Sequence, residues 1–159
     1  MNRLEIIGVK SIYPLYTDSY DEIVIDGSSL DTIFDRMLPG NNISGLVSPV
    51  GGWLIDKIDE LYFWNRITQD GVGLFICPLL ICPDDMDYSC TTVMVRIRVE
   101  EEFVFWPECG IRVEYTWRKY KLMNQGISWS AIAHPLKFKR AEYFKTIKDQ
   151  KEKRLGVLT

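Results

Sequence analysis

The densest group of chemically capable side chains is ICPDDMDYSC, residues 81–90, which sets Asp84, Asp85 and Asp87 between Cys82 and Cys90. Three carboxylates in one turn repel one another and favour cations or Arg/Lys partners. A calcium loop would need alternating acids, a glycine and a glutamate at its twelfth position. That pattern is missing, and no phosphate-binding loop lies nearby to hold magnesium. Two readings remain: a solvated turn between strands, or an acidic patch for a protein partner that includes Tyr88. A second acidic group, Asp56, Asp59 and Glu60, is interleaved with Trp53, Tyr62 and Trp64. Aromatic rings among charges are an interface composition. The competing arrangement puts the rings in the core and the acids on a wet face. Glu100 to Glu102 read as the tip of a hairpin.

The cysteines are spaced C-x4-C-x7-C-x18-C from Cys77 to Cys109. Zinc sites usually show two short C-x2-4-C knuckles, so buried free thiols are the first reading. Cys82 and Cys90 flank the acidic turn and could face each other across it, as zinc ligands or as a disulfide. His134, in AHP, is the sole histidine, and any His-based dyad must use it. No nucleophile elbow, dinucleotide loop or Walker sequence accompanies it. No spacing selects a catalytic pair among the carboxylates. The residues predict no catalytic centre and no cofactor; a small metal protein or enzyme using His134, the carboxylates and the cysteines is the alternative.

The net charge of −3 conceals a division. Residues 1–110 carry 18 Asp/Glu against 7 Lys/Arg, whereas residues 111–159 carry 4 against 12. Such asymmetry points to an interaction surface, or to two parts that neutralise each other within the fold. Tyr115, Trp117 and Tyr120 with Arg118, Lys119 and Lys121, continued by Lys137, Lys139, Arg140 and Lys145, could track a phosphate backbone. The acidity of the whole chain argues against a dedicated nucleic-acid binder.

These groups need elements to position them. Residues 3–12 and Asp21 to Gly27 read as strands. Ser28 or Ser29 caps a helix with Asp31 in its first turn and a stripe of Leu30, Ile33, Phe34 and Met37, ended by Pro39-Gly40. Residues 39–52 form a turn-rich connection. Residues 53–67 place Leu54, Ile58, Leu61 and Trp64 at helical spacing, but Tyr62 to Trp64 equally suit a strand; a helical turn passing into a strand is expected. Residues 73–82 read as a strand that Pro78 confines to an edge or bulge. Thr91 to Val99 alternates most clearly, Val93, Val95, Ile97 and Val99 against Met94, Arg96 and Arg98, and Phe103 to Trp106 returns beside it. Residues 111–121 read as another strand and 123–135 as a loop or short strand. A helix over 140–154 turns Ala141, Phe144 and Ile147 inward and its lysines outward.

At 159 residues the chain has the length of one domain and buries roughly 70% of its unfolded surface without staples. Strands in the middle with helices near the two ends predict a single α+β domain, residues 1–159, around a mainly antiparallel sheet. The N-terminal segment has no signal-peptide core, and the longest apolar run, Leu74 to Cys82, is too short to span a bilayer. A cytoplasmic protein that does not enter the membrane is expected.

The order of IDGSSL (25–30), GGW (51–53), PLLICPDDMDYSC (78–90), VMVRIRV (93–99), VFW (104–106), Trp117 and LKFKRAEY (136–143) resembles bacterial toxin-immunity proteins, the antidotes of polymorphic or contact-dependent inhibition toxins. The resemblance implies a cytoplasmic protein that binds a cognate toxin domain. A nuclease toxin must hold phosphates and is therefore basic, and an acidic protein can imitate the phosphate backbone and cover its cleft. The predicted contacts are Asp84, Asp85, Asp87 and Tyr88, with Asp56, Asp59 and Glu60 as a second group.

Overall fold

The computed structural model describes residues 1–112 and 126–156. Two antiparallel sheets and three helices form a mixed α+β fold. The expected single sheet is divided in two. β1 (Leu4–Lys10) pairs with β2 (Ser19–Ile25), and β2 with the short β3 (Ser28–Ser29). The second sheet runs in sequence order: β4 (Gly73–Leu80), β5 (Thr92–Val99), β6 (Phe103–Arg112) and β7 (Ile127–Lys139). β4 is an edge strand whose register shifts at Pro78, where proline cannot donate to the ladder. Interior β5 is covered on both sides at one end: Met94, expected to share the outer face with Arg96 and Arg98, is fully buried. On that outer face the Arg96 guanidinium lies 4.4 Å from the centre of the Trp129 ring and Arg98 4.6 Å from that of Phe105.

α1 (Leu30–Met37) follows its expected bounds, with Ser29 in the N-cap position and its hydroxyl bonded to Asp31. The 53–67 segment departs from expectation. It is helical without a strand, as α2 (Lys57–Ile67), and Asp56 Oδ1 accepts the Ile58 N–H at 2.7 Å. Residues 127–139, expected in part as loop, are one long strand. Ile111 and Arg112 close β6, and the rest of the expected 111–121 strand lies outside the described residues. The β6–β7 register shifts between Trp106 and Glu108: Pro107, with no N–H to give, stands opposite a bulge over residues 132–135.

α3 (Arg140–Leu155) buries Tyr143, Phe144, Ile147 and Gln150; Ala141, expected inward, is exposed. One continuous buried cluster draws on both sheets and all three helices. At its centre Trp106 stacks on Phe34 of α1, meets Phe138 edge-on, and donates its indole N–H to the Tyr143 hydroxyl at 3.1 Å. The sheets are also tied at the surface, where the Asn2 N–H donates to the Lys137 carbonyl at 2.7 Å and the Lys137 N–H to Asn2 Oδ1 at 2.9 Å. Gly51 and Gly52 let α3 and β2 close over this region. A Cβ on Gly51 would sit 2.5 Å from the Asp21 carbonyl. One on Gly52, which has φ of +80°, would strike the Arg154 guanidinium.

Candidate functional site

The two acidic groups, some thirty residues apart in sequence, meet in the fold. The Ile55 N–H donates to the Met86 carbonyl at 3.3 Å. The Tyr88 hydroxyl donates to the Asp59 carbonyl at 2.9 Å, and the Tyr88 ring meets Tyr62 edge-on. The 11–18 loop joins them: the Tyr16 hydroxyl donates to Asp84 Oδ1 at 2.8 Å, and its ring meets Trp53 edge-on. That bond holds the Tyr16 proton in place and raises its pKa.

This packing corrects two of the seven expected contacts. Tyr88 is 0% exposed and Asp59 3% exposed, so both belong to the scaffold beneath the face. Burial of the Tyr88 ring, with its hydroxyl satisfied inside, is what joins the turn to α2. Asp84, Asp85 and Asp56 are exposed, and Asp87 and Glu60 are half-buried. Several of these also shape the backbone: Asp56 caps α2, and Asp87 Oδ1 accepts the Ser89 N–H at 2.8 Å to close the turn.

The larger correction concerns α2. Of the four residues at helical spacing, Leu54 and Trp64 are buried, whereas Ile58 and Leu61 are not; the helix buries Asp59, Phe63, Trp64 and Ile67. Ile58 is 63% exposed, Leu61 39%, and neighbouring Ile55 77%. Leu15, beside Tyr16, projects from the 11–18 loop. The face therefore combines protruding aliphatic side chains with carboxylates. Single exposed apolar residues are ordinary, but grouped ones rimmed by polar residues mark interaction surfaces. Sequence spacing alone could not reveal them, because Ile58 and Leu61 fit an inward stripe as well as an outward one. The cap at Asp56 and the aromatic pair Phe63-Trp64, which must be buried, fix the rotation. A cleft of about 520 Å³ opens beside the face, lined among others by Tyr16, Trp53, Met86, Asp21 and Arg154.

The thiols divide into two pairs. Cys77 and Cys109 flank Val95 within the sheet and are buried. Burial pushes both up, Cys109 to about 11. Cys82 and Cys90 are half-buried at the two ends of the acidic turn and do face each other, with an Asp85 carboxylate oxygen beside them; the three ligand atoms lie within 4.8 Å of one another. Burial pushes the Cys82 thiol up, while the backbone N–H groups of Asp84 and Asp85 donate to its sulfur and favour the thiolate.

His134 lies exposed in the β7 bulge and makes no hydrogen bond or ion pair among the described residues. It is not part of the metal trio. Part of the basic end engages the acidic part. Lys153 and Gln150 hold Asp21 at 2.9 and 2.8 Å and Lys148 pairs with Asp70, whereas Lys145 pairs with Asp149 at 2.7 Å within α3. Arg140 donates to the carbonyls of Asp70, Glu100 and Glu101. Residues 115–121 of the expected phosphate track lie outside the described residues. Among the described residues no helix is long and apolar enough to cross a membrane. No protein-family model, curated protein or solved structure matches the chain.

Proposed function

We propose that this chain is an immunity protein that binds a cognate toxin domain and neutralises it without catalysis, by laying the face formed by the 11–18 loop, the start of α2 and the 82–90 turn over the toxin's active site. The observation that carries this reading is the composition of the face: Ile55, Ile58 and Leu61 turned outward beside the carboxylates of Asp56, Asp84 and Asp85. Burial of Phe63, Trp64 and Ile67 sets the rotation of α2, and the same rotation turns those aliphatic groups outward. Aliphatic anchors supply affinity once water is excluded, and surrounding carboxylates steer a basic partner and reject an acidic one. A nuclease domain fits, since its cleft is built to hold phosphates. Neutralisation takes place in the cytosol, where such a toxin finds its substrate.

The test is co-expression with a candidate toxin: the variable C-terminal domain of a large secreted protein encoded beside this chain. Wild-type protein restores growth and co-purifies with the toxin domain. Ile55→Asp/Ile58→Asp and Asp84→Lys/Asp85→Lys each weaken the complex by at least about a hundred-fold, as hot-spot loss of roughly 3 kcal/mol requires. Wild-type affinity in both variants would refute the siting, and failure of the wild type to rescue would refute the reading.

A further inference from the structure

We propose that Cys82, Asp85 and Cys90 form a zinc site that clasps the acidic turn shut. This goes beyond partner binding and does not depend on it. The ligand atoms come from both ends and the middle of the turn and lie within 4.8 Å of one another. Around a tetrahedral zinc, with bonds of about 2.3 Å to sulfur and about 2.1 Å to oxygen, neighbouring ligand atoms stand roughly 3.5–3.8 Å apart. Closure therefore needs shifts of about an ångström, within the reach of side-chain rotation.

The surrounding bonds hold the ligands in place. The Met86 N–H donates to the Cys82 carbonyl at 3.1 Å, Asp87 closes the next turn, and Tyr16 and Ile55 anchor the segment from outside. Two sulfurs with one carboxylate select a borderline-soft ion; calcium and magnesium require oxygen alone. Among the described residues the site has three protein ligands, which leaves the fourth position of a tetrahedral zinc open to water. Zinc binding displaces a proton from each thiol to solvent. Two thiols and one carboxylate before, and two thiolates, one carboxylate and a dication after, carry the same net charge. Zinc would therefore stiffen the acidic turn without neutralising it.

The test uses the full chain, reduced, with cobalt(II) as a spectroscopic probe. A thiolate-to-cobalt charge-transfer band of two-sulfur intensity should saturate at equimolar metal and bleach when zinc replaces it. Zinc affinity should rise with pH, because protons are released. Asp85→Asn should weaken zinc at least about ten-fold, the lower bound for loss of even a supporting group, and Cys82→Ser/Cys90→Ser should abolish the band. Cys77 and Cys109, inside the sheet, remain as internal controls. The cobalt spectrum of the unaltered chain needs no variant to fold. Absence of the band in the reduced wild type, or its persistence in the double serine variant, overturns the proposal. So does a Cys82–Cys90 disulfide whose reduced form takes up no metal.

Discussion

Tyr143 occupies the most demanding position in the core. Its hydroxyl is the acceptor for the buried Trp106 indole, and burial raises its pKa above the usual tyrosine value. Tyr143→Phe keeps the ring packing but leaves that N–H without its acceptor. An unsatisfied buried donor costs about 1–3 kcal/mol, so urea denaturation should show a loss in that range with unchanged secondary structure. Asp56 presents a different problem, since it both caps α2 and charges the proposed face. Asp56→Ala should cost about 0.5–2 kcal/mol of stability, whereas Asp56→Asn keeps the cap and removes only the charge. If the asparagine variant unfolds as easily as the alanine one, the capping role is wrong. At this scale sequence reading found the acids and the cysteines. It could not separate exposed carboxylates from buried ones, because whether Asp59 points inward depends on the rotation of the helix, which its spacing does not reveal.

Among the elements, β5 and α1 were legible because strong local signals decide them: strict alternation in the first, and in the second an apolar stripe ended by Pro39-Gly40; Ser29 takes the N-cap position, but its hydroxyl donates to Asp31 and caps no backbone N–H. α2 was ambiguous because Tyr62, Phe63 and Trp64 favour strands, and tertiary burial of Phe63 and Trp64 overrode that preference. β7 was hidden by its own bulge, since the four unpaired residues 132–135, Pro135 among them, break the alternation that would announce a strand. The docking of α3 against β2 carries a pH dependence. Burial opposes ionisation of Asp21, but the Lys153 and Gln150 donors outweigh it and hold its carboxyl below the usual range. A depressed carboxyl contributes stability that is present above its unfolded value of about 3.9 and lost as pH falls through its native value. The urea midpoint of the wild type should therefore fall on acidification through that window. Asp21→Asn should be less stable at neutral pH and should show a flatter fall; an unchanged slope would remove Asp21 from the account.

Over the whole molecule, the charge division is partly consumed inside the fold, where α3 meets Asp21 and Asp70, and partly displayed at the 82–90 turn and the start of α2. The displayed part acts at a distance and the aliphatic part only on contact, so the two should separate kinetically. Rising salt should slow association with the proposed toxin partner and leave dissociation nearly constant. Ile55→Asp/Ile58→Asp should instead accelerate dissociation. Surface interferometry at two ionic strengths distinguishes the cases, and a salt-insensitive association rate would remove the steering role. The bond between Asn2 and Lys137 carries a consequence for biogenesis. Residues 2 and 137 are far apart in sequence, so these bonds close a long loop, and that closure costs chain entropy. β1 and β2 can pair locally and rest on α1 and the 49–51 turn, but the bonds to Lys137 and the contacts with α3 require the later segments. Translation intermediates stalled before residue 136 should show weaker protection of the β1 amides from hydrogen exchange than the full chain; equal protection would remove Lys137 and α3 from the account.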